Sequence, residues 1–180
     1  MLRQFAIARV HMTFKKQLRS TSVSTANKYQ LSELNSNLHM KFENSSYYST
    51  SDSKKVTMDI GAIYLLDSFC IAEFKEGVHI GIEECEDITI ALVDHYGENL
   101  KIGFISNRIT SFSIDLRQWI KFNAYYDFIV ATAIVFYDDL NFDIATIEKH
   151  LSHYSTKRCR TLSQSIEWMK NLKEFKDTYA

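Results

Sequence analysis

The run Ile129–Tyr137 (IVATAIVFY) is continuously apolar and rich in β-branched residues. That is the pattern of a strand buried on both faces. It falls far short of the roughly 20 residues a membrane-spanning helix needs, so the chain must cover such a strand with its own helices, which places it in the α/β class. The flanking patterns fit. Met58–Leu66 is apolar with interruptions, Asp67-Ser68 reads as a turn and Phe69–Phe74 alternates, which predicts a two-strand start. Cys85, Ile88, Thr89, Leu92 and Tyr96 then recur at helical spacing, with Glu83, Glu84, Glu86 and Asp87 in the first turns and Gly97 at the end. Leu100–Ser106 reads as the next strand, and Asp115 with Gln118 opens a helix. Ile144, Ile147 and Leu151 mark another helix, and Lys157–Arg160 an edge strand whose basic side chains discourage pairing. Thr161 with Gln164 caps a last helix carrying Ile166, Met169 and Leu172. The expected order is ββαβαβαβα, a mixed sheet of about five strands with about four helices.

Residues 1–55 read differently. Residues 20–55 are rich in Ser, Thr and Asn and hold no period, which predicts a disordered tail ahead of a domain over residues 56–180. Before them, Ile7, Val10, Phe14 and Leu18 would line one side of a basic, acid-poor helix, a composition shared with organellar transit peptides. Charge divides at the same place. Residues 1–57 carry nine Lys/Arg against three Asp/Glu, and residues 58–180 carry twelve against nineteen. An acidic folded part argues against a face for a nucleic-acid backbone. Three scattered cysteines, Cys70, Cys85 and Cys159, form no CxxC and suggest neither a disulfide framework nor a zinc finger. A reducing, cytoplasmic setting is expected.

No nucleophile elbow, phosphate-binding glycine loop or zinc-protease motif is present, so the expectation is a non-enzymatic domain without cofactor or metal, with a divergent hydrolase as the remote alternative. His150 and His153, with Glu148 beside them, share a helix face but fall short of a closed metal site. Asp138-Asp139 after the apolar strand resembles a place for Mg²⁺ without a phosphate-cradling loop, and reads as a turn and helix start. Trp119 and Trp168 read as core. The segment that stands out is the polar loop Ser106–Asp115. It leaves the carboxyl end of a central strand, where open α/β sheets place ligand crevices, and it feeds a helix N-terminus that favours anions. Ser106, Asn107, Arg108, Thr110, Ser111, Ser113 and Asp115 are its candidate partner-binding or anion-binding residues, with Arg108 suited to a carboxylate or phosphate. Against that, Asn107 could simply shape a turn, Arg108 hold a nearby carboxylate and Asp115 cap the helix.

The stretch Lys101–Asp115 (KIGFISNRITSFSID), with Trp119 beyond it, resembles the SpoIIAA-like, or STAS/SEC14-like, family of small bacterial proteins common among Bacteroidetes. Ala131–Tyr137 and the closing Ser165–Trp168 are similar as well, and Ile105–Arg108 is the most specific piece. The resemblance implies a STAS-type fold and a regulatory or protein-interaction module whose loop Ser106–Asp115 meets a protein partner. The alternative it implies is a carrier or sensor of a small apolar ligand. In better-known members a serine after the equivalent strand is phosphorylated, which makes Ser111 and Ser113 the corresponding candidates. The family's phosphosite motif is absent here, and Leu116 stands where a proline often follows the aspartate.

Overall fold

In the computed structural model, residues 39–98 and 101–175 are described. The charged residues before Val56 already belong to the sheet. Strand β1 (Lys54–Met58) turns through Asp59-Ile60 into the antiparallel β2 (Gly61–Leu65), with Met58 opposite Gly61. The run Met58–Leu66, expected as one strand, is thus the end of one strand, a turn and a second strand. Gly61 permits this. Its φ is +154°, and a β-carbon there would stand 2.3 Å from the Glu73 carbonyl oxygen on the next strand. That strand, β3 (Phe69–Phe74), pairs antiparallel with β2. A two-residue strand, β4 (His79–Ile80), leads into helix Ile82–Tyr96.

From β3 onward the sheet is parallel. It adds β5 (Ile102–Asn107), β7 (Ile129–Val135) and β8 (Ser155–Cys159), for an order β1-β2-β3-β5-β7-β8. A second two-residue strand, β6 (Ser113–Ile114), pairs with β4 outside the main sheet. Helices fill each parallel connection. With the short α1 (Ser46–Thr50) counted first, they are α2 (Ile82–Tyr96), α3 (Leu116–Tyr126), α4 (Asp139–Leu151) and, after β8, α5 (Leu162–Lys170). The architecture is the expected mixed α/β sheet, with one strand more in the sheet and one short helix more than the expected counts.

The expected caps form. Asp115 Oδ1 accepts from the backbone N–H groups of Arg117 and Gln118, at 3.0 and 3.2 Å. Thr161 accepts from Gln164 N–H at 3.2 Å, and Asp138 from Asn141 N–H at 2.8 Å. Gly97 follows α2 at φ +86°.

Alternation along the strands divides the core in two. One face carries Tyr64, Ile71, Ile105 and Ala133 under α5, and the other carries Ile63, Cys70, Ala72 and Phe104 under α2. At one point α5 comes so close to the sheet that a β-carbon on Gly103 would stand 2.1 Å from Met169 Sδ. All three cysteines are buried and free. Among the described residues no helix is long and apolar enough to cross a membrane.

The boundary expected after residue 55 requires correction. It would cut β1, and Phe42, fully buried, packs in the core with Tyr64 and Ile166. Phe42 N–H also donates to buried Glu73 Oε1 at 2.7 Å. The apolar side chain of Phe42 has no periodic companions, so hydrophobic spacing carries no sign of it. The expected basic helix of residues 1–19 and the linker up to residue 38 lie outside the described residues.

Candidate functional site

β5 runs one residue further than expected, through Asn107, and this settles where the loop residues point. Strand alternation sends Ser106 and Arg108 to the face of α3 and Asn107 to the opposite face. All three are buried, Arg108 to 3% exposure.

On the α5 side, Asn107 Nδ2 donates to Glu73 Oε1 at 2.6 Å and to the Met40 carbonyl at 2.9 Å. Tyr137 donates its hydroxyl to Asn107 Oδ1 at 2.8 Å. Burial pushes the Glu73 carboxyl above its ordinary value despite these donors, and pushes the Tyr137 hydroxyl up as well. This cluster ties the segment before α1 across the carboxyl ends of β3, β5 and β7.

On the other side, Arg108 Nη2 donates to Glu148 Oε1 at 2.5 Å, a pair whose side chains are 3% and 14% exposed. Its guanidinium also lies over the Phe112 ring, 5.2 Å from the centroid. Its Nε–H is buried with no partner among the described residues, and so is the Thr132 hydroxyl on β7. Both line one small recess with Ser106, Trp119 and Glu148. Trp119, Thr132 and Glu148 also line the inner end of a larger cleft of about 320 Å³ between α3 and α4. Its walls are Leu116, Ile120, Ile129 and Ile134, and Asp127 and His153 mark its polar rim. The volume lies at the low end of the roughly 300–1,000 Å³ usual for small-molecule sites.

Thr110 and Ser111 are bound to the end of β3 and the turn that follows it. Thr110 donates to the Phe74 carbonyl at 2.6 Å, and Ser111 N–H donates to Glu76 Oε2 at 2.8 Å. Ser111 and Ser113 are exposed, with Ser113 Oγ 2.8 Å from His79 Nδ1. Asp115 caps α3. The candidate residues therefore divide into an inner pair of polar sites, at Asn107 and Arg108, and an outer rim at Ser111 and Ser113.

Sequence reasoning did not single out Thr132 or Glu73 as site residues. Thr132 is the one hydroxyl inside IVATAIV, and Glu73 the one charge within FCIAEF; each carried a signal as a polar residue placed in a buried strand. Glu148 follows Asn141 and Ala145 at i, i+4 and i+7, the buried line of α4. The histidines His150 and His153 are both exposed, Asp138 is engaged as a cap, and among the described residues no three His, Cys, Asp or Glu side chains gather as metal ligands.

No protein-family model matches the chain, and no curated protein does. Among solved structures, the chain is similar to an uncharacterized protein from the DUF3478 family with a SpoIIAA-like fold, from Shewanella loihica PV-4. The identity is 13% over 65% of this chain and 91% of that one, with a TM-score of 0.43.

Proposed function

We propose that this domain is a non-enzymatic sensor that holds a small, largely apolar ligand in the cleft between α3 and α4. The observation that carries this reading is the cleft itself, apolar along its walls and closed at its inner end by buried polar groups. Such a combination gives a ligand both affinity and orientation. Arg108 extends the reading to regulation. It pairs with α4 through Glu148 and stacks over Phe112 in the loop, so whatever shifts α4 is felt where Ser111 and Ser113 meet solvent. That rim is the surface offered to a protein partner, and a phosphate on Ser111 would there oppose the Glu76 carboxylate that its own N–H engages.

Native mass spectrometry of the chain purified from expressing cells tests the proposal. The expected result is a bound small molecule that is lost in Ala124→Trp, which fills the cleft from an exposed position on its α3 wall. A bare chain mass for the unmodified protein, repeated across preparations, would refute it.

A further inference from the structure

Resting on the cleft reading, we infer that the recess beside Arg108 and Thr132 receives the uncharged oxygen head, a hydroxyl or carbonyl, of the ligand whose apolar body fills the cleft. Two polar atoms define the recess. Arg108 Nε–H can only donate, and the Thr132 hydroxyl can donate or accept. Both lie on side chains more than nine-tenths buried, and neither has a partner among the described residues. Leaving such groups unmatched is unfavourable, so the complement they call for is an oxygen that accepts from Nε–H and meets the hydroxyl. The recess volume of about 20 Å³ suits one oxygen atom, since a single water needs roughly 10–15 Å³ on the same measure. Trp119, Thr132 and Glu148 line both the recess and the cleft, so the two adjoin at these side chains, and a head group that passes between them would be followed by an apolar body lying against Ile129 and Ile134.

Charge narrows the class further. The Arg108 guanidinium is already matched by Glu148. A ligand carboxylate would enter a neutral pair, lose its water and face Glu148 as a like charge, while an ammonium would face Arg108. An unmatched ion loses its hydration there with nothing to replace it. An alcohol, ketone, ester or amide brings the required acceptor without that penalty. The rim differs: His153 and Asp127 there are exposed, so a charged group could lie at the outer end without contacting the recess.

The test uses the full chain carrying Trp168→Phe, which leaves Trp119 as the sole tryptophan. It is titrated at neutral pH with 1-octanol and, separately, with octanoate, while Trp119 emission is followed. We expect saturable binding of 1-octanol, weakened about tenfold by Thr132→Val, the loss of one hydrogen bond, and restored by Thr132→Ser. Octanoate, if it binds head-outward, shows no dependence on Thr132. Octanol binding indifferent to Thr132→Val would overturn the recess as head-group site while leaving the cleft occupied. Octanoate bound more tightly than octanol, with the Thr132 dependence, would overturn the uncharged class. Saturable binding of neither probe would overturn the inference, and together with a bare native mass it would remove the cleft reading as well; a native mass that still carries a ligand would keep the cleft and discard only the head-group assignment.

Discussion

Glu73 sits on β3 with 7% of its surface exposed, and both recorded hydrogen bonds to its side chain, from Phe42 N–H and Asn107 Nδ2, reach the same oxygen. Burial outweighs these donors and holds the carboxyl above its ordinary value of 4.5. As pH rises through that ordinary value the unfolded chain loses its proton first. The folded state then carries more protons, so stability falls with pH until the folded-state value is passed and stays lowered above it. Glu73→Gln keeps a carbonyl oxygen for both donors and never ionises. Urea unfolding followed against pH should therefore show the variant gaining on the natural chain as pH rises above the ordinary carboxyl value, with the gap closing on acidification; a gap independent of pH would show that Glu73 does not titrate as its burial implies. The same residue shows where sequence reading stops. That Asn107 and Arg108 are unusual is legible from their place at a strand end. Which face each occupies depends on whether the strand ends at residue 106 or 107, and strand ends are the part of a pattern least determined by local sequence. One residue of extra strand turns an exposed loop pair into two buried sites on opposite faces.

Whole elements were legible wherever periodicity was strong. α2, β7 and the capped α5 fall where their spacing and caps put them, because each repeats its signal several times. The segment 39–53 repeats nothing. Its hold on the domain includes one fully buried ring, Phe42, together with backbone groups of Met40 and Phe42 bonded to side chains far along the chain. Such contacts leave no local trace. Their energetic weight is nonetheless that of a core residue: Phe42→Ala should cost about 3–5 kcal/mol, measured by chemical denaturation. A chain beginning at Val56 should lose at least as much relative to one beginning at Asn37, since it also removes the first two residues of β1. Equal midpoints for the Val56 and Asn37 chains would mean that this segment only rests on the surface.

At the scale of the whole molecule, the three thiols report on both cores of the sheet. Cys70 lies in β3 and Cys85 in α2, on one face of the sheet, and Cys159 lies in β8 under α5. Burial raises all three, Cys85 and Cys159 to about 11, so the native protein near neutral pH exposes almost no thiolate. Labelling by a disulfide reagent should be slow, and all three sites should react at one common rate set by global unfolding. A cysteine modified well ahead of the others would mark its layer as a separately opening unit. The sheet's mixed character was readable from sequence, as an antiparallel start followed by strand–helix alternation. Its sixth strand was not, because Lys54 and Lys55 made β1 look like the end of a polar linker.

The strap over the strand ends has a bearing on synthesis. Phe42 leaves the ribosome early, but its seat is built from Glu73, then Asn107, then Ile166 and Met169 of α5, with Tyr47 bonded to Glu167 at a separation of 120 residues. The β1–β2–β3 meander is local and can close while translation continues, whereas the parallel half must wait for its crossovers. A segment made before the sheet is thus fastened after it. A chain halted before Leu162 would display the whole α5 face of the sheet with Phe42 unseated, an apolar surface of the kind chaperones and proteases engage, so completion of translation is recorded in the position of the Phe42 ring.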